Sequence, residues 1–357
     1  MTKLNILHIV YAKEWGGGET AALSMIKEQL KFGHNVIVLL NKKSSSLQKH
    51  FSVVENLIII DFNNMIKCVL LLHNIITKYD IDIIHTHTGK VIPFVILAKI
   101  KTKAKIIVFR HNVLKNKTDF IHKCIYNNID AFICVSKKVY EIQINSINNV
   151  LRNRFYLVYN GIDENAFVME SKKNLGKLVL GYAGRIDESK GIRHLLEAMI
   201  LLKDCDVVLK IAGNINNEYA KKLKIFTRNY SLEKRVEWLG FQNNMEDFYT
   251  SIDVLIAPSI IPEAFGLVLC EAMYCNCAVI SSDSGAQHEI IDNGIDGILL
   301  KDVNQTEISK AVLVYYNDRE LLYRIQTNAR KKIKKLFTMK SWMNNMNKIY
   351  NDILGMK

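Results

Sequence analysis

Three prolines in 357 residues leave little material for Pro-rich linkers or arms. Long apolar runs are missing too. The best candidates, 68–76 and 91–100, are interrupted by His73 and Asn74 or carry Lys99, and neither nears the roughly 20 residues a membrane-crossing helix needs. The apolar run 4–10 is short and leads directly into Glu14 and glycines, so no secretory leader is expected. The seven cysteines are scattered, mostly through apolar runs. Cys275 and Cys277 stand too close for a zinc-finger pair and have no matching histidine cluster nearby, so reduced core cysteines of a cytosolic protein are expected.

Acidic residues are the minority charge, and the net +13 is unevenly placed. Residues 1–165 hold 22 Lys+Arg against 12 Asp+Glu, and the rest hold 26 against 23. A basic first half suits an anionic membrane face or a phosphorylated acceptor. Nucleic acid is excluded as a partner for want of an RNP, zinc-finger or helix-turn-helix pattern. Lys99, Lys101, Lys103 and Lys105 alternate along one segment, and Lys115, Lys117 and Lys123 follow with Phe120 and Ile121 among them. Together they predict reversible docking on the inner face of an anionic bilayer.

A half-apolar, quarter-charged chain of this length suits two α/β domains. Apolar runs at 4–10, 36–40, 57–60, 81–84, 106–109 and 131–135 alternate with helical spacing near 64–79, 90–101, 118–128 and 137–149. That rhythm predicts a parallel sheet. It restarts at 178–183 and continues through 207–212, 236–241, 254–257 and 278–282. Gly16, Gly18 and Ala21 formally fit a dinucleotide fingerprint. The glycines come too late after the strand, however, and the next strand ends in Asn41-Lys42-Lys43 without the acid that would hold a ribose. An NAD-dependent dehydrogenase is therefore disfavoured.

The chain is organised around 262–273, PEAFGLVLCEAM. It follows the strand 254–257 and two prolines, Pro258 and Pro262, and opens a mostly buried helix. Glu263 thus falls just before that helix and Glu271 inside it, near the carboxyl edge of the sheet where open α/β sheets bind ligands. The helix start offers amide N–H groups from Gly266 and Leu267 to an anion. Ionised carboxylates accept hydrogen bonds from vicinal hydroxyls. Histidines His85, His87 and His111 end two earlier strands, His111 beside Arg110. No HExxH-like spacing points to a metal. Ser136 fits a helix N-cap.

This stretch resembles the E-x7-E motif of retaining glycosyltransferases, in particular glycosyltransferase family 4. Gly16-Gly17-Gly18-Glu19, Asn160-Gly161-Ile162-Asp163 and Gly184-Arg185 with Lys190-Gly191 resemble further family landmarks and extend the likeness over nearly the whole chain. Ser284-Gly285-Ala286 departs from the two consecutive glycines usual in the family. The resemblance implies a GT-B fold: two Rossmann-like domains facing across a cleft, at 1–163 and 177–337, a linker at 164–176, and a helix at 338–357 crossing back to the first domain. It implies a nucleotide diphosphate sugar as donor and a sugar or lipid-linked acceptor in cell-surface polysaccharide, lipopolysaccharide or glycolipid assembly, with no cofactor and no metal. Arg185, Lys190 and the helix start at Gly266 would meet the diphosphate. Glu271 would hold the ribose and Glu263 the sugar hydroxyls, with Glu263 as nucleophile the lesser option. His111 would contact donor sugar or acceptor, and Gly17, Gly18, Gly184, Phe265 and Leu267 would line the donor. The rivals are a nucleotide-sugar 2-epimerase of the same fold, a phosphorylase, and a non-catalytic binding protein.

Overall fold

The computed structural model describes residues 2–12, 14–147, 149–167 and 176–356. The chain divides into two compact units, Met1–Gly161 with Met339–Lys357, and Ile162–Thr338.

The first unit is built on seven parallel strands: β1 (Asn5–Val10), β2 (Asn35–Asn41), β3 (Leu57–Ile60), β4 (Ile83–Thr86), β5 (Lys105–Arg110), β6 (Ala131–Cys134) and β7 (Phe155–Leu157). Their order is β3-β2-β1-β4-β5-β6-β7. Parallel strands are covered by helices on both faces, so they read as near-continuous Ile, Val and Leu. Ile6, Leu7, Ile9, Val10, Ile83, Ile84, Ile106 and Ile107 are all buried. The chain winds outward from β1 to β3, then returns beside β1 with β4. At such a reversal, neighbouring loops part at the carboxyl edge and leave a crevice. The loops that part there carry Gly16–Gly18 after β1 and His87 after β4.

The helices between strands follow the expected pattern with local departures. The helix expected near 90–101 is a single 3-10 turn, Gly89–Val91, running into Ile92–Ala98, with Pro93 in the first helical turn, where proline is tolerated. Ser136 caps Lys137–Ile144 by accepting from the Val139 N–H at 3.1 Å. The short helix Ser45–Phe51 and strand β7 go unforeseen from the sequence. The amphipathic helix Met339–Leu354 belongs to the first unit and buries Trp342, Met343, Met346, Ile349 and Tyr350.

The second unit carries six parallel strands: β8 (Leu178–Ala183), β9 (Val207–Ala212), β10 (Val236–Gly240), β11 (Val254–Ala257), β12 (Ala278–Ser282) and β13 (Ile298–Leu300), ordered β10-β9-β8-β11-β12-β13. Its reversal lies between β8 and β11, and the two motifs richest in charge follow those two strands. The units meet in sequence at Gly161/Ile162 rather than after 163. The Ile162 N–H donates to the Phe337 carbonyl at 2.9 Å and Ile162 bridges to Thr338, which ties this residue to the second unit. Of the expected linker 164–176, Glu164–Ala166 form a 3-10 turn capped by Asp163, and 168–175 lie outside the described residues.

One expectation needs correction here. Three of the four alternating lysines at 99–105 are paired with carboxylates. Lys99 and Lys105 both reach Asp130, at 3.1 and 3.2 Å, and Lys103 reaches Asp80 and Asp82 at 2.8 and 3.0 Å. Asp130 also accepts from the Ile106 N–H at 2.9 Å and Asp82 from the Asn5 N–H at 2.8 Å. These ion pairs hold strand starts at the amino edge of the sheet and supply little net positive charge to a surface. The cysteines stay as free thiols, five of them buried, with Cys124 exposed.

Candidate active site

In the second unit, β8 ends at Ala183 and the chain turns through Gly184 and Arg185. The Tyr182 hydroxyl donates to the Arg185 carbonyl at 2.6 Å and shapes the turn. Asp187 then caps the 3-10 turn Glu188–Lys190 by accepting from the Ser189 N–H at 3.0 Å. Gly191 follows at φ +68, and a Cβ there would stand 2.0 Å from the Pro258 carbonyl oxygen. Only glycine permits both that backbone and that approach. The approach brings the β8 loop against the loop leaving β11, where the Ile260 N–H donates to the Ser189 carbonyl at 2.8 Å.

Stitching those loops together places Lys190 on Glu263. The ammonium donates to Glu263 Oε1, with both side chains largely shielded from water. Charge-assisted bonds of this kind gain strength where water is scarce. Arg185 behaves differently. Its side chain is more than half exposed and its nearest carboxylate, Asp187, is 3.6 Å away. The turn therefore carries one cation already committed to a carboxylate and one held loosely near another.

Glu263 is also gripped by its backbone. Gly285, in the loop after β12, lies so close that a Cβ would be 2.2 Å from the Glu263 carbonyl oxygen and 2.4 Å from its nitrogen. The next N–H, Ala286, donates to that carbonyl at 2.9 Å. The single glycine of this loop is thus the one that sterics demand, and the alanine in place of a second glycine is buried.

Gly266 caps the helix Leu267–Tyr274. Its carbonyl takes the N–H groups of Leu269 and Cys270 at 3.0 and 3.4 Å, so Leu267 and Val268 open the helix. Phe265 turns inward, buried against Phe337 with ring centres 5.8 Å apart. Its ring belongs to the core, so any part Phe265 plays with a donor falls to its backbone. Glu271, one turn into the helix, accepts from the Tyr249 hydroxyl at 2.7 Å. Burial raises its carboxyl to about 7, against the downward pull of the Tyr249 bond. Tyr249 carries no motif, and sequence reasoning missed it.

In the first unit, the glycine loop and His111 come together: a Cβ on Gly18 would lie 3.4 Å from the His111 ring, while one on Gly17 would meet nothing. Arg110 does not join them. Its guanidinium packs over the Phe132 and Tyr126 rings and donates to Asn116 Oδ1 at 3.2 Å, so it braces the loop instead of presenting charge. Behind His111 stands a chain of buried imidazoles. His111 Nε2 lies 3.2 Å from His87 Nδ1, and His87 Nε2 lies 3.1 Å from His8 Nδ1. His8 Nε2 meets Gln29 Oε1 at 2.7 Å. Loss of hydration pushes His8 and His111 down to about 4, and His85 and His87 well below the ordinary histidine range, so all four are neutral near pH 7.

His8 is a further residue that sequence reasoning missed, because a lone histidine inside the apolar run 5–10 reads as core. His8, His85 and His87 each offer a nitrogen within 4.8 Å of the others, the spacing of a loose three-imidazole metal group. Both nitrogens of His8 are already engaged, however, by His87 and Gln29, so ligation would break two hydrogen bonds of the core.

Comparison with known proteins agrees with this arrangement. Residues 163–332 match the family described as glycosyl transferases group 1, and residues 15–166 match glycosyltransferase family 4. An uncharacterized glycosyltransferase of Methanocaldococcus jannaschii is 29% identical over 289 residues, 78% of each chain. A lipopolysaccharide core biosynthesis mannosyltransferase of Rhizobium leguminosarum bv. viciae is 28% identical over 185 residues, covering 50% of this chain and 52% of its own. Among solved structures, a glycosyltransferase from Rickettsia africae superposes with a TM-score of 0.87 at 22% identity over 100% of both chains. Anabaena HepE, solved in complex with UDP and glucose, does so at 0.83 and 19% over 97% of this chain and 99% of its own. Those likenesses show the two-domain GT-B fold. With both halves matched by their respective family descriptions, the chain belongs to the family 4, group 1 glycosyltransferases.

Proposed function

We propose that the protein transfers a sugar from a nucleotide diphosphate sugar to an acceptor hydroxyl with retention of anomeric configuration and without a divalent metal. The observation that carries this reading is the pairing of Lys190 with Glu263 at the β8/β11 reversal, with Arg185, Glu271 and the start of helix Leu267–Tyr274 on the same or adjoining loops. As the bond from C1 of the sugar to the diphosphate breaks, negative charge grows on the leaving oxygen. Arg185, Lys190 and the first amides of the helix meet that charge. The acceptor oxygen bonds to C1 from the face the diphosphate leaves, and its proton passes to the departing diphosphate. Glu263 holds sugar hydroxyls and Glu271 the ribose, and His111 serves the transferred sugar or acceptor. HepE, solved with UDP-glucose, supports a nucleotide sugar as donor.

The test is a panel of nucleotide sugars scored by thermal shift and by nucleotide release in EDTA, followed by NMR of the product anomer. A ligand at 100 times its Kd adds about 2.7 kcal/mol of stability. Inversion at the anomeric carbon, or turnover lost in EDTA and restored by manganese, sinks the reading.

The acceptor reading draws on the relative named for lipopolysaccharide core synthesis and on one surface of the first unit. No helix among the described residues is long and apolar enough to cross a membrane. Yet Met65 and Ile66 open the helix after β3, Phe120 and Ile121 open the helix after β5, and all four are exposed, as is Leu114. In a parallel sheet, helices begin at the carboxyl edge, so these side chains share the edge that carries His111. Lys67, Lys115, Lys117 and Lys123 lie among them. We therefore place the enzyme at the inner face of an anionic membrane, working on a lipid-linked acceptor. Phe120→Ser with Ile121→Ser should abolish flotation with anionic vesicles, and high salt should weaken it in the unaltered protein. Flotation indifferent to both changes removes the membrane from the account.

A further inference from the structure

We propose that His87, His8 and Gln29 are positioning residues that hold His111 as its Nε2–H tautomer, leaving Nδ1 as a hydrogen-bond acceptor for a substrate hydroxyl. The hydroxyl's identity rests on the reading of His111 given above; the tautomer does not.

A neutral imidazole has one donor and one acceptor nitrogen, so a bond to one nitrogen decides the role of the other. The chain His111–His87–His8 runs Nε2 to Nδ1 at both links, at 3.2 and 3.1 Å, and all three rings must therefore share one sense. The sense is set at the far end. Gln29 presents Oε1 to His8 Nε2 at 2.7 Å and donates from Nε2 to the Tyr350 hydroxyl at 2.8 Å. The same hydroxyl lies 3.1 Å from His85 Nε2, which ties that ring to the network. His8 must then carry its proton on Nε2 and accept on Nδ1. His87 follows suit, and so does His111.

Every link but the last is shut away from water. His8, Gln29, His85 and Tyr350 are essentially unexposed and His87 nearly so, so solvent does not take over a broken bond. The rings are also held in orientation. His87 stacks on Phe109 at 17° and on His111 at 16°, with centres 4.9 and 5.5 Å apart. Reversing the sense would require turning the Gln29 amide and moving the proton of every ring together. A network of this kind pre-sets an acceptor before substrate arrives, where a solitary histidine would partition between tautomers.

Long-range ¹⁵N–¹H spectra of the full-length protein, without substrate at pH 7, read the tautomer directly. His111 is expected as Nε2–H alone. Gln29→Met, close in shape but unable to accept or donate, and Tyr350→Phe, which keeps the ring, are each expected to give His111 a mixture of tautomers. Both are expected to lower kcat between about 10- and 100-fold with the donor KM little changed. A wild-type His111 protonated on Nδ1 overturns the proposal, as does an unchanged tautomer in a folded variant, or a stoichiometric metal on His8, His85 and His87 in the purified protein. A shifted tautomer with unaltered turnover would keep the relay's structural effect, but would remove His111 from the reaction and with it the hydroxyl contact.

Discussion

Lys190 and Glu263, far apart in sequence, are joined by an ammonium–carboxylate hydrogen bond in the second unit, between loops that two glycines allow to approach. Under the proposed roles, the cation for the diphosphate and the carboxylate for the sugar hydroxyls are held as a pair before either meets its ligand.

Each is assigned to a group whose charge changes in the reaction, so Lys190→Met and Glu263→Gln should each cut turnover by on the order of 3 kcal/mol of transition-state stabilisation. The double variant should lose less than the sum, with a coupling of about 1 kcal/mol or more. Strict additivity in kcat/KM would show that the two act independently.

Arg185 makes a cleaner probe, since it is exposed and only loosely near Asp187. Arg185→Ala should leave the urea midpoint unchanged while turnover falls at least tenfold, or about 1.4 kcal/mol. Near-normal turnover would strip it of the diphosphate role.

Glu271 should give donor binding a pH dependence near neutrality. Its carboxyl ionises at about 7, and the ionised form is the better acceptor for a diol. Donor affinity should therefore rise with pH through that value and flatten in Glu271→Gln. The Tyr249 bond pulls this ionisation downward, so Tyr249→Phe should move the midpoint upward. Calorimetric titration with the nucleotide across that range decides it. A midpoint that stays put in Tyr249→Phe would detach the tyrosine from the site.

Gly285→Ala should cripple activity beyond its cost in stability. The new methyl would press on the Glu263 peptide at 2.2 Å, so the loop must shift and take Glu263 with it. Small-to-large changes at a tight contact cost about 1–3 kcal/mol, and turnover should fall further than unfolding measurements alone explain. A folded, fully active variant would contradict the clasp.

Acid should weaken the first unit earlier than ordinary carboxylate protonation would. An unfolded histidine binds its proton near 6.5, whereas His8 in the folded chain waits until about 4. Between those values the unfolded state holds the extra proton, so stability falls as pH is lowered through the window. His8 alone accounts for about 3 kcal/mol. Glu271 acts in the opposite sense, costing stability as pH rises from 4.5 toward 7. Urea unfolding of wild type and His8→Asn at several pH values should show a shallower acid slope in the variant.

Much of this was legible in the residues because the signals were local. Parallel strands announce themselves as apolar runs, and eleven of the thirteen described strands fall near the runs named for them, the exceptions being the three-residue β7 and β13. PEAFGLVLCEAM located Glu263 and Glu271, and Gly184 to Gly191 located the cations. What stayed hidden depends on contacts between distant segments. The lysines at 99–105 looked like a basic stripe because Asp80, Asp82 and Asp130 reach them only through the fold. Phe265 looked like a ligand contact because nothing nearby names Phe337 as its partner. His8 passed for core, Arg110 only for a neighbour of His111, and Tyr249 for nothing at all. Each of those roles is set by a neighbour that sequence spacing does not reveal.

The tyrosine at 350 has a consequence for how the protein is made. When the ribosome has passed residue 161, all seven strands of the first unit have been synthesised, with His8, His85, His87, His111 and Gln29 in hand. The Tyr350 hydroxyl that bonds Gln29 arrives only after 162–338 have been translated. Until then the helix Gly17–Lys31 and His85 lack the neighbour that helix Met339–Leu354 supplies. The second half is therefore finished before the first, although it is begun later.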